Sequence, residues 1–315
     1  MKSKNTSIRS SFGATLVKLA KTNPNIFVVD IDLKSSLKLD KFASKYPKRF
    51  VEAGVAEANA AGVAAGLAKA GKTVFLTSFS CFSPAINWAV IKQSICYQSL
   101  NVKIIGSHSG LMSGSLGSTH QMLEDIALTR CLPNMEVFSP SDSIETGKII
   151  SAISRTKKPS YVRLVRPDTP IFYPPRFGFT IGKSSLLSSG KDLTIIYHGP
   201  IGFEVINLIN SKEFKAKKIS IDLINCSSIK PLDIKTILRS IKKTKKLIII
   251  EDHQKIGGLG EAISALVLEN GLSPKYIHLA VDDKFGQSAS DYQKLYDFYG
   301  IGQNHLKLAI QKILR

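Results

Sequence analysis

The 315-residue sequence predicts an α/β protein of two doubly wound domains, and three observations carry that prediction. Short β-rich runs alternate with longer amphipathic segments, the pattern of right-handed βαβ units around a parallel sheet. The length exceeds what a single hydrophobic core usually fills. A proline-rich stretch near the middle interrupts the alternation, which then resumes.

In the first half, residues 26–30, 73–76, 102–106, 136–138 and 160–164 read as strands. Between them, residues 57–70, 84–100, 123–131 and 142–155 read as helices. Pro167, Pro170, Pro174 and Pro175 then disfavour helix and stiffen the backbone. The expected division is a first domain over residues 1–170, a Pro-rich linker over 171–182 and a second domain over 183–315. In the second domain, strands are expected at 193–197, 218–223 and 246–251, and helices at 202–210, 232–243 and 260–270.

Composition narrows the function classes. Hydrophobic residues at 43% and charged residues at 21% exclude a disordered or fibrous chain. The 43 Lys and Arg against 24 Asp and Glu give a formal charge of +19, which suits nucleic acid, an anionic membrane or phosphorylated metabolites. The basic residues are dispersed, however. Their tightest cluster, Lys242, Lys243, Lys245 and Lys246, precedes the apolar run 247–250 and reads as a solvated helix end before a strand. No zinc-finger spacing and no aromatic-interleaved basic stripe is present, so no nucleic-acid partner is expected. Cys81, Cys96, Cys131 and Cys226 form no CxxC pair, which argues against a zinc site or a disulfide framework and fits a reducing cytoplasm. Residues 1–20 are basic but lack the apolar core of a secretory signal; an organellar leader stays open. No apolar stretch reaches membrane-spanning length, and no membrane partner is expected.

Within the segment from Phe50-Val-Glu-Ala-Gly-Val-Ala to Gly66-Leu-Ala, Glu57 is the one acid at the start of a helix otherwise built from small apolar residues. An acid in a first helical turn favours the positive helix end, and that is the commoner reason for such a residue. The alternative is a carboxyl in an apolar site that exchanges a proton with a bound heterocycle. Two further blocks stand where an α/β sheet presents its ligand loops. One is Thr77-Ser-Phe79-Ser-Cys-Phe82-Ser-Pro84, whose two Phe residues would otherwise read as core. The other runs from Ser107-His108-Ser109 through Ser115-Leu116-Gly117 to His120-Gln121 and Glu124-Asp125, with eleven residues between the two histidines.

Together these blocks resemble the transketolase family, and the resemblance spans essentially all 315 residues. It implies a thiamine-diphosphate pyrimidine-binding domain followed by a transketolase C-terminal-type domain. By matching position, Glu57 contacts the aminopyrimidine ring of thiamine diphosphate and promotes loss of its reactive proton. Phe79 and Phe82 form the aromatic pocket around that ring, and Asp32 lies near the cofactor. His108 and His120 address the sugar oxygens and the transferred two-carbon unit. Arg9, Ser36 and Arg166 match positions that bind the substrate's terminal phosphate, for which the planar guanidinium is well suited. The C-terminal blocks 251–261 and 282–288 resemble that family's packing and dimer-forming domain, and neither is assigned a ligand.

Two departures from the family pattern matter. Leu116 stands where the family usually carries a carboxylate that recognises a sugar hydroxyl, and Leu can neither donate nor accept a hydrogen bond. A modified or smaller donor or acceptor is therefore expected. The Gly-Asp-Gly segment that holds magnesium and the cofactor diphosphate is absent from this sequence. The resemblance thus implies a C-terminal subunit of a split transketolase, itself binding no metal. An N-terminal diphosphate-binding subunit would hold Mg²⁺ or Ca²⁺, in an expected heterotetramer with two copies of each chain. The rival readings are the β subunit of a thiamine-dependent 2-oxo acid dehydrogenase and a non-catalytic transketolase-like module. His120-Gln121 and Pro133-Asn134-Met135 favour transketolase over the first; Glu57, His108, His120 and Arg166 argue against the second.

Overall fold

Burial along the whole of Val102–Ser107, and along all but the last residue of Thr73–Phe79, marks strands covered on both faces, the condition of a central parallel strand. The computed structural model describes residues 5–315, so the first four residues of the expected first domain lie outside it. These two strands are the middle of a seven-stranded sheet, flanked by Ile26–Asp30 and Phe50–Glu52 on one side and by Ser160–Arg163 and Glu136–Phe138 on the other. All six run parallel. The seventh, Ser228–Lys230, comes from the second half of the chain and pairs antiparallel with Glu136–Phe138.

The second sheet has five strands in the order Lys275–Val281, Lys246–Gln254, Leu193–Tyr197, Ile221–Asn225 and Ser185–Ser188, the last antiparallel. Both domains are mixed α/β with mainly parallel sheets, as the alternation of the sequence requires. Along Lys246–Gln254 the side chains alternate between two apolar clusters: Ile248 and Ile250 join one, Leu247 and Ile249 the other. Each cluster draws on both halves of the chain.

The observed elements differ from the sequence reading where periodicity is silent. The helix expected from residue 84 begins only at Trp88 and widens to a π-helix over Ile91–Cys96. Ahead of it, hydrogen bonds from Phe82 and Ser83 N–H to the Phe79 carbonyl hold turns instead. Asp168–Pro170, at the edge of the proline-rich stretch, forms a short antiparallel pair with Asn5–Ser7. The helices Ile8–Thr22, Tyr292–Phe298 and Gln303–Leu314 and the strand Lys275–Val281 were not read from the sequence.

Candidate active site

The carboxyl ends of the parallel strands gather almost every residue singled out by sequence. Asp32 and Ser36 follow Ile26–Asp30, Glu57 follows Phe50–Glu52, Phe79 ends its strand, and His108 and Arg166 follow Val102–Ser107 and Ser160–Arg163. This is the edge at which open α/β sheets present their ligand loops.

Four rings meet there. The Phe79 ring lies 3.8 Å from that of His108, and it stacks 18° from parallel with Phe82 at 6.0 Å. His120 stands edge-on to Phe82 at 5.5 Å and to Phe79 at 6.4 Å. His108 has φ 59°, a left-handed backbone that a non-glycine residue adopts at some cost and that structures retain where surroundings enforce it. Here the Ser113 hydroxyl donates to the His108 carbonyl, and Ser107 Oγ pairs with His108 Nδ1 at 2.9 Å. Burial, with the nearby Arg9 and Arg166 guanidiniums and His120, pushes the His108 imidazole down to about 3, so it stays neutral at physiological pH.

Glu57 is half-buried at the first position of the helix Glu57–Lys69. That helix buries Ala60, Ala61, Ala64, Ala65 and Ala68, a stripe small enough for close approach to the sheet. Asn87 Nδ2 donates to the Glu57 backbone carbonyl, while no described residue hydrogen-bonds the Glu57 carboxylate. Its neighbour Cys81 lies between Phe79 and Phe82; burial, with the Glu57 charge contributing, pushes that thiol up to about 11. A carboxyl near stacked aromatic rings fits the aminopyrimidine of thiamine diphosphate: flat, apolar on its faces, with a ring nitrogen that can share a proton with the carboxyl. Among the described residues no group of three or more His, Cys, Asp or Glu could hold a metal ion.

Arg9, Ser36 and Arg166 also come together. Arg9 Nη1 donates to the Ser36 carbonyl and Nη2 to the Arg166 carbonyl, both at 2.6 Å. Arg166 Nη1 donates to Ser115 Oγ at 3.1 Å. Both arginines line a cavity of about 310 Å³. Asp32 is exposed, with φ 56°, and its N–H donates to Glu52 Oε1 at 2.9 Å.

The loop carrying His108, Leu116 and His120 is strapped to the second domain. Leu111 N–H donates to Asp252 Oδ1 at 2.9 Å, and Gln121 Nε2 bridges the Gly114 and Gln287 carbonyls at 3.0 and 2.9 Å. The Ala289 N–H reaches the Gly114 carbonyl at 3.4 Å, and a Cβ at Gly117 would lie 2.6 Å from Ser288 Oγ. Behind the loop, buried Arg163 pairs with Asp125 at 2.9 Å and donates to the Asp252 carbonyl at 2.7 Å. Sequence reasoning gave Asp252, Ser290 and Tyr292 no role. The available signal was a polar, serine-containing segment, Gln287-Ser-Ala-Ser-Asp-Tyr292, just after the last strand of the sheet.

The glycine-rich turn before Leu259–Glu269 shows why a glycine cluster alone is weak evidence for a phosphate cradle. Glu251 already fills it, accepting the Leu259 and Gly260 N–H groups at 2.8 Å each. Burial pushes that carboxyl up, but hydrogen bonds from His198 and His278 outweigh burial and hold it well below the usual range. The lysine cluster closes the helix Ile234–Thr244, with Lys245 at φ 55° and Lys243 paired to Asp222 at 2.7 Å.

The known proteins most informative about this geometry point one way. Residues 4–171 match the family described as transketolase, pyrimidine binding domain, and residues 182–306 match transketolase, C-terminal domain. The chain is 41% identical to a putative transketolase C-terminal section of Methanocaldococcus jannaschii, covering 93% of this chain and 92% of that one. It is 36% identical to one of the subunits of the apulose-4-phosphate transketolase of Phocaeicola vulgatus, covering 85% and 86%. A solved structure described as split gene transketolase, inactive beta4 tetramer, superposes with a TM-score of 0.89 at 36% identity, covering 98% of each chain. The chain belongs to the transketolase family and carries that family's pyrimidine-binding and C-terminal domains.

Proposed function

We propose that this chain is the C-terminal subunit of a thiamine-diphosphate-dependent transketolase, moving a two-carbon ketol unit between sugar phosphates or related substrates. The observation that carries the reading is the convergence of His108, His120, Phe79 and Phe82 into one ring cluster beside Arg9 and Arg166. The cofactor, when bound, supplies the carbon nucleophile that accepts the transferred unit. This chain's residues orient and select. Glu57 exchanges a proton with the aminopyrimidine, Phe79 and Phe82 fix the ring plane, and Asp32 lies at the cofactor's edge. His108 stays neutral and hydrogen-bonds substrate oxygens together with His120. Arg9, Ser36 and Arg166 bind the terminal phosphate.

A partner subunit supplies the diphosphate site and its Mg²⁺ or Ca²⁺, in a heteromer with two copies of each chain. Two exposed apolar side chains support such a face: Val55, two residues before Glu57, and Ile86, whose N–H donates to the Phe82 carbonyl. The similar split-gene protein forms an inactive tetramer, which favours the same division of labour here. Leu116 points to a sugar phosphate outside the ordinary ketose set, and the Phocaeicola relative, named for apulose-4-phosphate, gives a precedent. Reconstitution tests the reading: activity and magnesium-dependent thiamine diphosphate binding are expected only after mixing with a diphosphate-binding partner. Tight cofactor binding and ketol transfer by this chain alone would overturn it.

A further inference from the structure

We infer that the anion pocket is closed by the second domain, with Ser290 and Tyr292 adding donors to a tetrahedral oxyanion that Arg9 and Arg166 hold. The inference rests on the proposed phosphate site and extends it across the domain boundary. The cavity of about 310 Å³ is lined by Arg9, Ser115, Arg166 and Asp168 from the first domain and by Ser290 and Tyr292 from the second. Two guanidiniums against one carboxylate leave it positive.

Its donors are not exhausted by the protein. The buried Arg9 Nε has no hydrogen-bond partner, and the Ser115 hydroxyl that accepts from Arg166 keeps its own proton to give. Tyr292 packs edge-on against Tyr296 at 5.3 Å, and burial, with Glu204 and Asp291 nearby, pushes its phenol up to about 12, so it remains a donor at any working pH. The segment that carries Ser290 is not a free loop. Gln287 accepts from Gln121, and Ala289 donates to Gly114, so the second-domain donors are held in register with the loop that bears His108 and His120. An anion bound here touches both domains, which couples substrate binding to the position of the second domain.

The pocket lies wholly within this chain, so inorganic phosphate titrated into the full-length chain tests it. Amide ¹H–¹⁵N shifts of Ser115 and Ser290 follow binding, and Tm with far-UV circular dichroism checks folding. Saturable shifts at both amides are expected. Ser290→Asp should weaken phosphate by about tenfold or more through like charge, and Ser290→Ala by about threefold through one lost hydrogen bond. Asn210→Asp, the same charge change at an exposed position, should leave binding unchanged. Weakening in Arg166→Ala with unchanged affinity in both folded Ser290 variants would overturn this inference alone. Unchanged affinity in Arg166→Ala would remove the underlying phosphate site as well.

Discussion

Asp252 and Leu111 are 141 residues apart in sequence, yet the Asp252 carboxylate accepts the Leu111 N–H at 2.9 Å. The bond pins the start of the loop between the two histidines to a strand of the other domain. Burial pushes the Asp252 carboxyl up, and Arg163, Leu111 and Tyr296 oppose that. Asp252→Ala strands the Leu111 N–H and the Tyr296 hydroxyl, at about 1–3 kcal/mol each where no water replaces the lost partner. The expected result is a lowered urea midpoint and faster hydrogen exchange at Leu111. Wild-type exchange in a folded variant would show that the strap does not hold the loop.

Glu57→Gln keeps the size of the side chain and the helix start but cannot exchange a proton with the aminopyrimidine. In the complex reconstituted with a diphosphate-binding partner, exchange of the thiamine diphosphate C2 proton should slow by about 10²–10⁴-fold. An unchanged exchange rate removes Glu57 from the chemistry and leaves it a helix-terminal acid.

Leu116 is half-buried in the loop that the second domain holds. Xylulose 5-phosphate is expected to be a poor donor for the reconstituted enzyme, and Leu116→Asp to improve its kcat/KM. Efficient wild-type turnover of that donor, with no gain in the mutant, would end the specificity reading.

Glu145 ties the domains together: its carboxyl accepts from Ser141 N–H at 2.7 Å and from Asn225 Nδ2 at 3.0 and 3.1 Å. Complete burial is the main reason its carboxyl rises from 4.5 to about 7. The folded state therefore holds a proton that the unfolded state has released between those values. The stabilising contribution is fully present below pH 4.5 and is lost as pH rises through 7, on the order of 3 kcal/mol. Glu145→Gln should flatten stability against pH across this window in chemical denaturation. A slope equal to wild type would assign the dependence elsewhere.

The sequence by itself determined the layered α/β architecture, because burial on both faces of a parallel sheet writes apolar runs such as 247–250 directly into the chain. It also marked Glu57, Phe79, Phe82, His108, His120 and Arg166 through their match to transketolase-family motifs, whose spacing is local in the chain. Tertiary structure decided what depends on long-range approach. Only the fold sets the His108 ring 3.8 Å from Phe79, joins Arg9 to Arg166 across 157 residues, and ties the Asp32 N–H to the Glu52 carboxylate. Only the fold lays residues 287–292 against the substrate loop and adds Ser228–Lys230 to the first sheet. Neither contact has a periodic signature: a serine in a turn or a three-residue edge strand looks the same in sequence whatever it touches, and its partner is chosen when the two domains pack.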